Sequence, residues 1–314
     1  MKKTLGFLLV NYRYFLLIAI IAAASSVIQN PWQNFINVMT LQAPFVFIYT
    51  CDMTIVMLTR GLDLSLGSVA ALSSCIGAMT IIKGHVALGI LISIGVGAVC
   101  GLANGLLITK MKLPSFIATY GMDWIVRGTS YIIMGGAMIY NFNDRFQNIS
   151  AGNIFGISNL FYIALVIFIA LFFLFHKTIF GRNVYMIGSN KTVAQLSGVR
   201  TGRITIIVFM LSSILASIAG ILYASRLDCA EPFLGRDFGV RAISASLIGG
   251  TSLGGGKGGV TNTVLGVMIV VFLTNALNVW RVSVLWQSAV FGVVIVIAAL
   301  LEKVTDVYLL SQIK

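Results

Sequence analysis

Residues 159–175 read NLFYIALVIFIALFFLF, residues 176–203 read HKTIFGRNVYMIGSNKTVAQLSGVRTGR, and residues 204–225 read ITIIVFMLSSILASIAGILYAS. The outer two runs are apolar and near the roughly 20 residues that cross a hydrocarbon core. The middle stretch carries Lys177, Arg182, Lys191, Arg200 and Arg203 and no acidic residue. Basic loops stay on the cytoplasmic side of a membrane, so His176–Arg203 orients the chain. Its size also leaves room for a docking surface toward a cytoplasmic partner.

The rest of the sequence extends that pattern. Of 314 residues 58% are hydrophobic and 10% charged, and mean hydropathy is +0.99, far from a soluble domain with about a quarter of its residues charged. The net charge of +12 does not point to nucleic acid, because Lys and Arg fall at the ends of apolar spans, where topology and lipid headgroups account for them. Cys51, Cys75 and Cys100 lie in apolar stretches and Cys229 stands alone in a polar loop, so no disulfide framework is implied. Lys2, Lys3 and Arg13 ahead of the run Tyr14–Ala24 imitate a signal peptide. Apolar character continues to Ile28 and many spans follow, so this segment reads as an uncleaved first span.

The expected fold class is an all-α polytopic membrane protein with about ten transmembrane helices, forming one membrane domain over 1–314. The spans fall near Tyr14–Ile28, Ala43–Thr59, Asp63–Ile82, Val86–Thr109, Pro114–Met134, Asn159–Phe175, Ile204–Ser225, Ala242–Ser252, Gly259–Val279 and Val284–Leu301. An even count places both termini in the cytoplasm, and most basic residues, from Lys2 and Lys3 to Lys303 and Lys314, then fall on that side. The eighth span is too short to cross alone and reads as a broken or re-entrant glycine-rich segment, tolerated only where protein or water satisfies the freed backbone. TRGLDLSLG at 59–67 is echoed by IGGTSLGGG at 248–256, and each is followed by a span bearing an asparagine, Asn104 and Asn275. Such pairs mark a duplicated, inverted-repeat core with a pathway at the repeat interface.

Polar groups inside spans tend to face an interior. Asp52, Asp63, Ser65, Asn104, Thr251 and Asn275 are therefore the candidates for a translocation pathway. A carboxylate at mid-membrane costs about 2.5–3.5 kcal/mol on insertion scales, so Asp52 needs either a polar interior or a partner such as Arg60. Asp63 reads as an N-cap or first-turn acid of the third span, or as a contact to a transported ligand. Asp123 and Arg127, four apart in acid-first order, form a structural pair.

LGGGKGG at 253–259 fails as a phosphate loop, because Lys257 is followed by Gly258 where Ser or Thr should hold the metal. His85 and His176, the two histidines, lie outside the apolar spans, so no metal site or histidine relay is expected. No catalytic cluster is visible, no cofactor is expected, and the chain carries no engine for ATP hydrolysis. Two readings of the polar residues remain: a transport subunit powered from outside the chain, or an autonomous secondary transporter in which Asp52, Asp63 or Asp123 couples a proton or sodium ion to a solute.

Several ordered motifs carry a resemblance: Gly61–Ser68 (GLDLSLGS), Gly105–Ile117 (GLLITKMKLPSFI), Phe180–Arg182 (FGR), Ile187–Asn190 (IGSN), Ala194–Gly198 (AQLSG) and Ile248–Gly258 (IGGTSLGGGKG). Over about Ala43–Leu301 the chain resembles the permease subunits of bacterial ATP-binding-cassette importers of the ribose and other monosaccharide class. The resemblance implies a subunit of the bacterial cytoplasmic membrane that moves a monosaccharide or related polar solute by alternating access. It implies as partners two cytoplasmic ATPase subunits, an extracytoplasmic solute-binding protein and a second permease subunit. It also implies that the loop 176–203 holds a short coupling helix seated in a groove of the ATPase, with Gly181, Arg182, Asn190, Ala194, Leu196 and Gly198 as coupling residues. The local chemistry agrees. Asn190 caps a helix that ends at Gly198, and Val193 and Leu196 share an apolar face on a helix too short to be stable alone. The sequence departs from the family pattern at Asp52 and Arg60, where glycine is common, and at Arg241, where an acid is usual.

Overall fold

The computed structural model describes residues 2–313, so Lys314 of the cytoplasmic basic set lies outside the described residues, as do the side chains of Lys2 and Lys3. Helices account for most of it. α1 is Lys2–Ser25, and α2, Pro31–Asn37, runs through a π-helical turn at Val38–Gln42 into α3, Ala43–Met57. Then follow α4 (Leu66–Ile81), α5 (Val86–Thr109), α6 (Ser115–Met134), α7 (Asp144–Ala151), α8 (Asn159–Lys177), α9 (Ile179–Ser189) and α10 (Lys191–Leu196). α11 (Thr201–Leu227), α12 (Phe238–Gly249), α13 (Val260–Val279) and α14 (Val284–Ile313) complete the chain. Four two-residue strands make two small antiparallel pairs: β1 (Ile139–Tyr140) with β4 (Cys229–Ala230), and β2 (Asn153–Ile154) with β3 (Ile157–Ser158).

Among the described residues six helical stretches are long and apolar enough to cross a membrane: Pro31–Met57, Val86–Thr109, Asn159–Lys177, Thr201–Leu227, Val260–Val279 and Val284–Leu301. Shorter apolar helices occupy Arg13–Ala23, Leu66–Ile81 and Phe238–Gly249. The second span thus begins well before the expected Ala43. Pro44 has no N–H to give the preceding turn, and the helix absorbs the defect as the π turn just ahead of it rather than stopping.

α3 lies at the centre. Every residue from Phe47 to Leu58 is buried, and α8, α11, α12 and α13 all pack against it. A helix apolar all round is what such a position requires. α5 packs along α11 through Gly97, Gly101 and Gly105. A Cβ at Gly101 would sit 2.7 Å from Met210 Cα, and one at Gly105 2.8 Å from Ile206 Cα. This is the small-residue contact by which membrane helices approach closely.

α11, at 27 residues, rises about 40 Å and separates two ends of the molecule. At the Thr201 end lie α9 and α10, the turn after α3 and the loop 250–259. At the Leu227 end lie α7 and the β1–β4 pair, where Asp228 Oδ1 accepts from Phe142 N at 2.7 Å.

Two helices are interrupted near the Thr201 end. α4 begins at Leu66 rather than Asp63, after an extended stretch from Gly61 to Ser65 in which four of the five N–H groups are nonetheless bonded. Gly61 N donates to Val56 O (3.1 Å), Leu62 N to Ser115 Oγ (3.2 Å), Leu64 N to Thr119 Oγ1 (3.2 Å) and Ser65 N to Asp63 Oδ1 (2.9 Å). α12, at 12 residues, rises only about 18 Å and stops at Gly250, whose φ of +100° suits glycine alone. This matches the broken segment expected there. The two echoing glycine stretches meet at one end, Gly256 N donating to Leu58 O at 3.1 Å.

Candidate functional site

The centre of the molecule holds a buried polar cluster drawn from four segments. α3 supplies Asp52, the extended stretch before α4 supplies Asp63 and Ser65, α5 supplies Asn104 and α11 supplies Ser212, all with no exposed surface. Ser212 Oγ is in hydrogen-bond contact with Asp52 Oδ1 and lies 3.1 Å from Asp63 Oδ2. Asp63 Oδ1 accepts from Ser65 Oγ at 2.6 Å as well as from Ser65 N, and Asn104 Nδ2 donates to Ser65 Oγ at 2.9 Å. Four of the pathway candidates therefore come together, bridged by a residue the sequence reading missed. The available signal for Ser212 was the Ser212-Ser213 pair in the middle of an apolar run.

Other expectations need correction. Asp52 does not pair with Arg60, which reaches away to donate from Nε to Gly188 O (2.6 Å) and from Nη2 to Ser189 O (2.7 Å). Asp63 does not cap the third span, since Ser65 occupies the cap position of α4 and the Asp63 carboxylate instead folds onto Ser65. Asn275 lies apart from the cluster in a reciprocal pair with Asn34, at 2.9 and 3.2 Å. Thr251 is buried in the loop after α12, its N donating to Ser246 O at 2.9 Å and its hydroxyl without a partner. Nearby, Thr54 Oγ1 joins Ser246 Oγ (3.0 Å) and Thr263 Oγ1 (2.7 Å), tying α3, α12 and α13 together. Asp123 and Arg127 form the expected pair at 3.5 Å, and Arg127 Nη1 also donates to Leu234 O at 3.1 Å.

Below the cluster, toward the Thr201 end, three irregular segments converge. Gly188, at the end of α9, abuts Leu58 O and the Gly256 backbone, and a Cβ there would come within 3.0 Å of Gly256 Cα. Tyr185, one turn earlier on α9, donates its hydroxyl to Gly258 O at 2.9 Å. Burial pushes the Tyr185 phenol above its ordinary value of 10.0, so it stays a donor at neutral pH. Arg60 completes the junction through its bonds to Gly188 and Ser189.

α10 hangs from this junction. Asn190 Oδ1 accepts from Thr192 N (3.0 Å) and Val193 N (3.1 Å), the expected cap. Gly198, with φ of +80°, ends the turn as expected. Ala194 is fully buried, whereas Val193 is 51% and Leu196 84% exposed. Gly181 is buried and lies against the Phe175 backbone, and Arg182 beside it is exposed.

At the Leu227 end a cavity of about 200 Å³ opens between α3, α11, α12 and α13, lined by Gln42, Phe45, Tyr49, Tyr223, Arg226, Arg241 and their neighbours. Tyr49 stands one turn from Asp52 on α3 and stacks on Phe238 at 4.7 Å. Arg241 is held here by Asp237 at 2.6 Å and by the Phe291 ring at 5.4 Å. Among the described residues no group of three His, Cys, Asp or Glu side chains could hold a metal ion.

With this geometry in view, comparison with known proteins is informative. Residues 34–299 match the family described as Branched-chain amino acid transport system / permease component. The chain is 37% identical over 292 residues to a ribose import permease protein of Bacillus subtilis, covering 92% of this chain and 90% of the relative. It is 31% identical over 309 residues to a D-allose transport system permease protein of Escherichia coli, covering 96% and 95%. It is 32% identical over 254 residues to an autoinducer 2 import system permease protein of Photorhabdus luminescens, covering 81% and 77%. No solved structure matches it.

Proposed function

The chain belongs to the permease component family of branched-chain amino acid transport systems, and from that premise we propose how it carries solute and receives energy. It is the transmembrane subunit of an ATP-binding-cassette importer for a monosaccharide, in keeping with its ribose and allose relatives. It is a transport subunit, and the hydrolysis of ATP is assigned to a cytoplasmic partner. The proposed path for solute enters the cavity beside Tyr49, Arg226 and Arg241 and passes Asp52, Asp63, Ser65 and Asn104, with Thr251 and Asn275 flanking it. Arg241, where the family favours an acid, then presents a guanidinium already engaged by Asp237 and Phe291 to that entrance.

Ten membrane segments fit the packing: the six long ones together with the α1, α4, α6 and α12 regions. The even count and the basic loop at the Thr201 end favour termini and α9–α10 in the cytoplasm, with the cavity facing outward toward a solute-binding protein. A second permease subunit completes the pathway, and two ATPase subunits dock on the exposed Val193–Leu196 face of α10.

The observation that carries this reading is the continuous contact from docking face to pathway. α10 is capped by Asn190, the residue after α9, and Gly188 on α9 abuts Leu58 and Gly256. Leu58 leads through Gly61 to Asp63 in the cluster. Displacement of α10 by a closing ATPase is thus delivered to both unwound turns at once. The test is uptake of radiolabelled ribose and allose into vesicles bearing the chain with its ATPase and binding protein. ATP-dependent uptake is expected. Uptake driven by an ion gradient with the ATPase omitted would contradict it.

A further inference from the structure

Ser212 has one hydroxyl proton, yet its Oγ is in hydrogen-bond contact with Asp52 Oδ1 and 3.1 Å from Asp63 Oδ2. Ionised carboxylates are acceptors only, so with both ionised one of these contacts would set lone pair against lone pair. Among the described residues neither carboxylate has an ion-pair partner, and both are fully buried. Asp52 Oδ2 and Asn104 Oδ1 are buried acceptors without any donor. The two contacts of Ser212 to the carboxylates need two protons, and its hydroxyl supplies one.

We infer that Asp52, Ser212 and Asp63 form a proton-binding site that holds one proton per chain, carried on Asp52. In that arrangement Asp52 O–H donates to Ser212 Oγ, Ser212 O–H donates to Asp63 Oδ2, and the trio bears a single negative charge. The hydrogen bonds assign the proton. Asp63 Oδ1 accepts from Ser65 N and Ser65 Oγ, bonds that favour an ionised carboxylate, whereas Asp52 has only Ser212. Two like charges at this separation in a low-dielectric interior do not ionise together.

The surroundings bring no counter-ion. Among the described residues Cys51 on α3, Cys100 on α5 and Asp123 on α6 are the other ionisable groups electrostatically linked to the pair, and none is cationic. Arg127 on α6 is held by Asp123, Pro232 O and Leu234 O. α11 offers hydroxyls, Ser212 and Ser213, and α4 lies behind the Ser65 hydroxyl. Of the helices that also pack on α3, α12 carries Arg241, occupied by Asp237, while α8 and α13 bring no bonded ionisable group to the carboxylates.

The bound proton latches the extended stretch before α4 to α3 and α11. Its loss leaves two carboxylates facing one hydroxyl, so the native state weakens as pH rises through the titration of the site. This inference goes beyond the importer reading and stands on three side chains whether or not sugar passes them.

The test is infrared spectroscopy of the purified full-length chain in lipid nanodiscs at neutral pH, with carbon-13 aspartate labelling. The expected result is a protonated-carboxyl carbonyl band that moves on aspartate labelling and is lost in Asp52→Asn. The wild-type unfolding temperature should also fall from mildly acidic to mildly alkaline buffer, with a flatter profile in Asp52→Asn. Absence of a protonated aspartate band in the wild-type protein would overturn the site, independently of whether any variant folds. So would an unfolding temperature raised by sodium chloride but not by potassium chloride in a protein lacking that band, which would place a metal ion there. A band that survives in Asp52→Asn and is lost in Asp63→Asn would overturn the assignment to Asp52.

Discussion

α10 and the Asp52–Asp63–Ser212 cluster are both small polar features of an apolar chain, and they are built in opposite ways. α10 comes from one contiguous stretch, carries its own cap at Asn190 and its own stop at Gly198, and leaves Leu196 84% exposed. The cluster draws residues from positions as far apart as 52 and 212, exposes none of them, and contains a carboxylate pair with no ion-pair partner among the described residues. An exposed apolar face on a helix too short to stand alone waits for a partner. A buried polar group shared between distant segments instead marks where the chain itself must hold together.

Substitutions should separate the two regions. The largest effect is expected at Leu196→Asp, which places a charge in the docking face: capture of the ATPase should be lost altogether while membrane insertion is unchanged, as read by co-purification from membranes. Ser212→Ala should leave capture intact but remove the bridge between two buried carboxylates. We expect a loss of about 1–3 kcal/mol in folding stability, read by thermal unfolding in detergent, together with reduced uptake. Asn190→Ala removes the cap of α10 at a local cost of about 0.5–2 kcal/mol. It should weaken ATPase affinity several-fold without changing the unfolding midpoint of the bundle. Asn275→Ala breaks only the pair with Asn34, and interhelical hydrogen bonds of this kind average about 0.6 kcal/mol. Uptake close to wild type is expected, and a large loss there would move the pathway away from the Asp52 cluster.

The same contrast explains what was legible in the sequence. Six of the ten expected apolar spans, the short eighth segment and the capped helix after Asn190 are local signals that the structure keeps among the described residues. The π turn ahead of Pro44, which moves the start of the second span back to Pro31, is a local defect that a hydropathy reading passes over. The partners of Asp52 and Arg60 could not be read from spacing along one helix. Asp52 finds Ser212 because α11, distant in sequence, packs directly against the central α3, and Arg60 leaves the helix through a left-handed turn with φ of +63° that aims it at α9. Serines in apolar runs are common, so Ser212 carried no signal without its neighbours in space. The contact between the two echoing glycine stretches is likewise invisible along the chain, since it joins residues nearly two hundred positions apart, Gly256 N donating to Leu58 O.

The central claim is that motion of α10 reaches the cluster through the backbone contact of Gly188 with Leu58 and Gly256. Its most direct test is ATP-driven ribose uptake by vesicles bearing Gly188→Ala with its ATPase and binding protein, compared with wild type at equal membrane insertion and equal ATPase capture. A Cβ at Gly188 cannot be placed without parting these backbones. The account predicts an uncoupled complex, in which the ATPase is bound but uptake falls by at least tenfold. Wild-type uptake with the ATPase bound would show that energy takes another route.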